Sequence, residues 1–118
     1  MNPDGFRRIA LLQPEAQEGS HMGHPDFRRE GRVFATLGYP DEGFGMVKLT
    51  PEQQEAFVNA EPAAYQPVKG AWGLRGATSV RLRKAKAASL RVAMAAAWGN
   101  VACLPPRRPR RAPRRKQS

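Results

Sequence analysis

Lys69, Arg75, Arg81, Arg83, Lys84 and Lys86 are the residues of this chain best suited to chemistry, and what they offer is recognition of phosphate oxygens rather than a reaction. Basic side chains along a strand can follow a phosphate backbone, and Trp72, set among them, offers a ring for an unpaired base. The bland alternative is a solvated sheet face with Trp72 plugging the core. Farther on, Arg107, Arg108, Arg110, Arg111, Arg114 and Arg115 fall in residues 105–118, which hold seven basic residues and four prolines. If those arginines met five or six duplex phosphates, log K would fall against log salt with a slope of roughly −5. No sequence specificity is expected from such a segment. Unselected drift is the competing account, because GC-rich codons tend to encode arginine, proline and alanine.

Other combinations of chemically able residues are weaker. His21, His24 and Asp26 are ligand types for zinc or iron and lie within six positions. A strand would send the two histidines to opposite faces, Pro25 restrains the backbone, and no further cluster completes a set. Hydrogen bonding at a strand junction is the expected role, and no metal is assigned. The glycines of Gly70-Ala71-Trp72-Gly73-Leu74-Arg75-Gly76 are followed by no Gly-Lys-Ser/Thr, so this is not a P-loop; a tight turn is favoured over a phosphate cradle. There is no Gly-x-Ser-x-Gly and no His-Glu-x-x-His, and Glu52 and Glu55 read as solubilising charges. The pattern points away from an enzyme and implies no cofactor.

Charge sharpens the first reading. The net charge is +10, yet residues 1–61 hold all ten acids with six basic residues, while residues 62–118 hold fourteen basic residues and no acid. Asymmetry of that size points to a polyanionic partner for the C-terminal half, DNA or another nucleic acid. Cys103 is the only cysteine, which excludes an internal disulfide and fits a reducing cytoplasm. No apolar run approaches the roughly 18 residues of a membrane span, and the first dozen residues do not read as a signal peptide. A monomer is expected.

The elements that must position these residues can be read in order. Asn2 and Pro3 start a helix carrying Phe6, Ile9 and Leu12 on one face, and Pro14 stops it. Glu15 to Gly19 reads as a polar connector. Pro25–Arg28 and Arg32–Leu37 flank a hairpin turn at Arg29-Glu30-Gly31, and the second strand sends Val33, Ala35 and Leu37 one way and Phe34 the other. Met46–Leu49 is a third strand. Thr50-Pro51-Glu52-Gln53 is a capping box opening a helix that buries Ala56, Phe57 and Ala60. Tyr65–Val68 is an edge strand because Pro67 lacks a donor. Thr78–Arg83 alternates, with Thr78, Val80 and Leu82 inward and Ser79, Arg81 and Arg83 outward. A last helix from about Lys86 to Val101 buries Leu90, Met94, Ala97, Trp98 and Val101. Residues 105–118 cannot bury enough surface to order themselves and read as a disordered tail after a single domain, 1–104.

Three stretches carry a family resemblance: Gly19-Ser20-His21-Met22-Gly23-His24-Pro25-Asp26-Phe27-Arg28 running on to Leu37, Gly45-Met46-Val47-Lys48-Leu49-Thr50-Pro51-Glu52-Gln53, and Pro67-Val68 to Gly76. In that order they resemble the MmcQ/YjbR-like family over roughly residues 5–102. The resemblance implies an α+β fold similar to the CyaY-like (frataxin-like) architecture. That is an antiparallel sheet of about five short strands packed against N- and C-terminal helices, with a short inserted helix. It also implies the label the family carries, a DNA-binding protein with a double-wing surface. The tail lies outside the family pattern. So does the start of the last helix, where an acidic residue is implied and Lys84-Ala85-Lys86-Ala87 stands instead. Lysines there oppose the helix dipole beside free backbone N–H groups, an arrangement a bound phosphate would relieve; a solvated charge cluster is the plainer account. The rival function is a small-ligand or protein-interaction module with a pocket near Trp72, Arg75 and His24 and an incidental tail. Frataxin-type iron handling relies on an acidic surface, and the acids here are few and scattered.

Overall fold

The computed structural model describes residues 1–21, 23–38 and 41–102 of the chain. The expected tail, residues 105–118, and Cys103 lie outside the described residues. Helix α1 spans Pro3–Leu11, and the Asn2 side chain caps it by accepting from the Gly5 amide at 2.8 Å. Phe6, Ile9 and Ala10 are its buried face; Leu12, expected to join them, falls past the last turn and is exposed.

The polar stretch after Pro14 is not a connector throughout. Gln17–His21 forms strand β1, an edge strand paired antiparallel with β2 (His24–Arg29). Its pairing comes from the neighbour, so its own composition gives no apolar alternation to read. The hairpin from β2 to β3 (Arg32–Leu37) turns through Glu30 (φ 50°) and Gly31 (φ 80°), the doubly left-handed geometry that matches strand twist. The register slips by one residue between Phe27 and Arg28, so β3 carries an extra residue opposite β2. This bulge brings Phe34 into the same core as Ala35 and Leu37, not onto the opposite face.

Strand β4 is Phe44–Lys48, and helix α2 follows at Pro51–Ala60. The capping box is formed: Gln53 N–H donates to Thr50 Oγ1 at 3.1 Å, and Thr50 N–H to Gln53 Oε1 at 2.9 Å. Ala56 and Ala60 are exposed rather than buried; Phe57 and Val58 carry the half-buried face, with the Phe57 ring 5.1 Å from that of Tyr65. Strand β5 is Tyr65–Pro67, the short helix α3 is Ala71–Leu74, strand β6 is Ala77–Arg81 and helix α4 is Ala87–Ala102. The fold is α+β as expected, and among the described residues the sheet has six strands where about five were expected, ordered β1-β2-β3-β4-β6-β5 and antiparallel throughout. Pro67 lies on the edge strand β5, where its missing donor costs no ladder bond.

The core joins Phe6 and Ile9 of α1 and Leu90, Ala93, Met94 and Ala97 of α4 to Phe27, Ala35, Val47 and Val80 of the sheet. Side chains alternate across a strand, so the row Gly19–Asp26–Thr36–Met46–Ser79–Gln66 lies on the face away from Phe27, Ala35 and Val47.

Candidate nucleic-acid interface

Strand β6 is held from both sides, and its end sets the position of the cations. Thr78 and Val80 are fully buried, while Arg81 is exposed at the strand's last position. The chain then turns at once: Lys84 N–H and Ala85 N–H both donate to the Arg81 carbonyl at 3.0 Å. Arg83 and Lys84 therefore lie in a turn, not on the strand that was expected to carry Arg83. Leu82 and Ala85 are buried and anchor this turn, leaving Arg83, Lys84 and Lys86 facing solvent between them. Lys86 sits just ahead of α4, its carbonyl accepting from Leu90 N–H at 2.9 Å, and no acidic residue falls in the first turn of that helix. Two contributors had no signal in the sequence. The nitrogen of Met1 donates to the Leu82 carbonyl at 2.6 Å, and Phe44 of β4 lies 5.5 Å beneath the Arg81 guanidinium. Both depend on long-range register.

The remaining candidates gather at the other end of the same strand. Lys69, Trp72 and Arg75 flank or form α3, which leads into β6 at Ala77, and all three are exposed. Trp72 is 63 % exposed, so it does not plug the core. At about 3.3 Å per residue, the five residues of β6 set its two ends roughly 13 Å apart. The candidate residues thus form two groups, one at each end of β6. The glycine-rich segment between β5 and β6 is a helical turn, not an open loop.

A pocket joining Trp72, Arg75 and His24 does not form. His24 is on β2, three strands from β6, and its Nδ1 lies 3.1 Å from where a Cβ on Gly38 would be. A depression of about 350 Å³ lies elsewhere, against α1, lined by Asp4, Arg7, Arg8, Leu11 and Leu12. Among the described residues no three His, Cys, Asp or Glu side chains converge on a metal position. Asp26, 1 % exposed, instead accepts from Arg28 Nε at 2.8 Å and Nη2 at 2.9 Å, and this pairing raises the guanidinium pKa above its ordinary value. Gly19 across the strand leaves room for that fork: a Cβ there would lie 3.0 Å from Asp26 Oδ1.

The carboxylates that pair do so within the N-terminal third. Asp4 and Glu18 hold Arg7, Asp26 holds Arg28, and Glu15 lies 3.6 Å from Arg29. Lys69, Arg75, Arg81, Arg83, Lys84, Lys86 and Arg91 make no ion pair among the described residues. The loop carrying Asp41 and Glu42 runs alongside, since Leu82 N–H donates to the Gly43 carbonyl, but Asp41 accepts from the Gly43 amide instead of pairing. Among the described residues no helix is long and apolar enough to cross a membrane.

Residues 11–100 match the protein family described as YjbR. A crystal structure of a Deinococcus radiodurans protein with a DUF419 domain superposes with a TM-score of 0.72 at 17 % identity, covering 86 % of this chain and 79 % of that one. At that identity the likeness speaks for the fold. No curated protein matches the chain.

Proposed function

This chain belongs to the YjbR family, and from that premise we propose that it is a non-enzymatic binding protein whose C-terminal half holds a polyanion, DNA foremost. One observation carries the reading. Among the described residues the cations of 62–102 stand exposed and without ion pairs, while four N-terminal carboxylates, Asp4, Glu15, Glu18 and Asp26, are engaged by arginines of their own half. Unpaired surface cations cost little in water and gain when they displace condensed counterions from a phosphate chain. The rival small-ligand or protein-interaction module is the weaker reading, because His24 lies three strands from β6 and shares no pocket with Trp72 and Arg75.

The test is a fluorescence-anisotropy salt titration on duplex DNA, comparing the full chain, the 1–104 form and Arg81→Ala/Arg83→Ala. The shortened form retains every described element, since α4 ends at Ala102. Binding by the shortened form, with a log–log salt slope of about −3 that moves toward zero by roughly two in the double variant, supports the domain as the binder. If only the full chain binds, the function shrinks to nonspecific attraction by residues 105–118.

A further inference from the structure

The two tryptophans meet opposite fates. Trp98 is half-buried, its indole N–H donates to the Pro14 carbonyl at 2.9 Å, and the Arg29 guanidinium covers its ring at 4.3 Å. Trp72 has no such contacts: it is 63 % exposed, and its indole N–H has no partner among the described residues. An indole is a large apolar surface, and leaving it in water forgoes one of the larger burial gains open to a side chain.

This exposure is not looseness. A Cβ on Gly73 would overlap the Val68 carbonyl, and one on Gly76 the Leu49 carbonyl, so the backbone of α3 is packed hard against its neighbours. Gln54 of α2 clamps the segment, its Nε2 donating to the carbonyls of Gly73 at 3.1 Å and Ala77 at 2.9 Å. The ring is mounted on a fixed base, which lowers the ordering cost of binding through it. Lys69 and Arg75, both exposed and without ion pairs among the described residues, flank it on either side in the chain.

We propose that Trp72 is a stacking platform for an unpaired base, with Lys69 and Arg75 on the adjoining phosphates, so that the preferred polymer is single-stranded. This rests on the polyanion reading above and narrows it. Base faces inside a duplex are closed against one another, whereas every unpaired base offers a face to an aromatic ring. Flanking cations favour a polyphosphate over an uncharged apolar partner.

The full chain with Trp98→Phe leaves Trp72 as the sole indole, and its emission is followed against a deoxythymidine oligomer of about 15 nucleotides and a duplex of equal length. Should Trp98→Phe fail to fold, the difference spectrum between the natural chain and Trp72→Phe reads the same ring. Saturable quenching by the oligomer and little by the duplex is expected. Trp72→Ala should weaken the oligomer about tenfold while leaving duplex affinity within about twofold. Duplex and oligomer binding with unchanged Trp72 emission and no effect of Trp72→Ala overturns this inference and leaves the polyanion reading standing. No binding of either polymer at about 0.15 M salt removes both. A blue shift on phosphatidylglycerol vesicles with no response to the oligomer also overturns it, making the ring a lipid contact.

Discussion

Tyr65 is fully buried, and its hydroxyl is tolerated there because it shares a 2.8 Å hydrogen bond with Ser89 of α4. Burial pushes the phenol above its ordinary 10.0; the Ser89 bond works the other way, and the charge of Glu61 adds to the rise. The folded state therefore holds this proton more tightly than the unfolded chain does. The stability that follows is whole below about pH 10 and drains away as the pH climbs past it. Tyr65→Phe should melt lower at neutral pH, by about 1 kcal/mol for the lost bond. That deficit should shrink as the pH rises from roughly 10 to 12, because phenylalanine does not titrate. A deficit that stays constant across melting curves in that range contradicts the assignment. Asp26 makes a second case. Arg28→Ala strips a carboxylate that is 1 % exposed of two charge-assisted bonds, with an expected loss of about 2 kcal/mol in urea unfolding. Arg28→Lys should recover only part of it, since an ammonium cannot reproduce the fork.

At the level of elements, α2 is the instructive one. It buries no residue fully, so beyond the half-buried Phe57 and Val58 its hold on the domain depends on its ends and on a few polar clasps. Those clasps are Gln54 to α3 and Asn100 of α4, whose Nδ2 donates to the Lys48 carbonyl at 2.9 Å and to Gln53 Oε1 at 2.8 Å. Thr50→Ala removes a capping bond and should cost about 1 kcal/mol, with faster amide exchange confined mainly to α2. Gly76→Ala should cost more, about 3 kcal/mol, because φ is 111° and the new Cβ would meet the Leu49 carbonyl. Equal losses in the two would mean that the Gly76 backbone has more freedom than its packing indicates. The same comparison says what a sequence discloses. Caps, the Glu30-Gly31 turn, the Pro67 edge and the alternation of Thr78, Val80 and Leu82 are local, and each was legible. Strand β1, the bulge that turns Phe34 inward and the half-buried face of α2 depend on partners distant in the chain. The candidate cations were legible as a set by composition, but their division between the two ends of β6 needed the register of β6 against β4 and β5.

Over the whole molecule, charge and stability pull in different directions at the turn from β6 into α4. Arg81, Arg83, Lys84 and Lys86 are exposed there, and the dipole of a 16-residue helix points its positive end at the same place. A fold selected for stability alone would put Asp or Ser where Lys86 stands, because such a residue caps the free amides and suits the dipole. Lys86→Asp should therefore raise stability by about 1 kcal/mol while weakening duplex DNA, and Lys84→Glu should act in the same sense with a smaller gain. Added salt should stabilise the natural chain more than the Lys84→Glu/Lys86→Asp form, since screening relieves a repulsion that the variant no longer has. Paired melting curves and anisotropy titrations on one set of variants measure both effects. Stability and affinity moving in opposite directions marks the cluster as kept for binding. If Lys86→Asp stabilises and DNA affinity does not change, the cluster is a solvated surface feature and the polyanion must be held elsewhere.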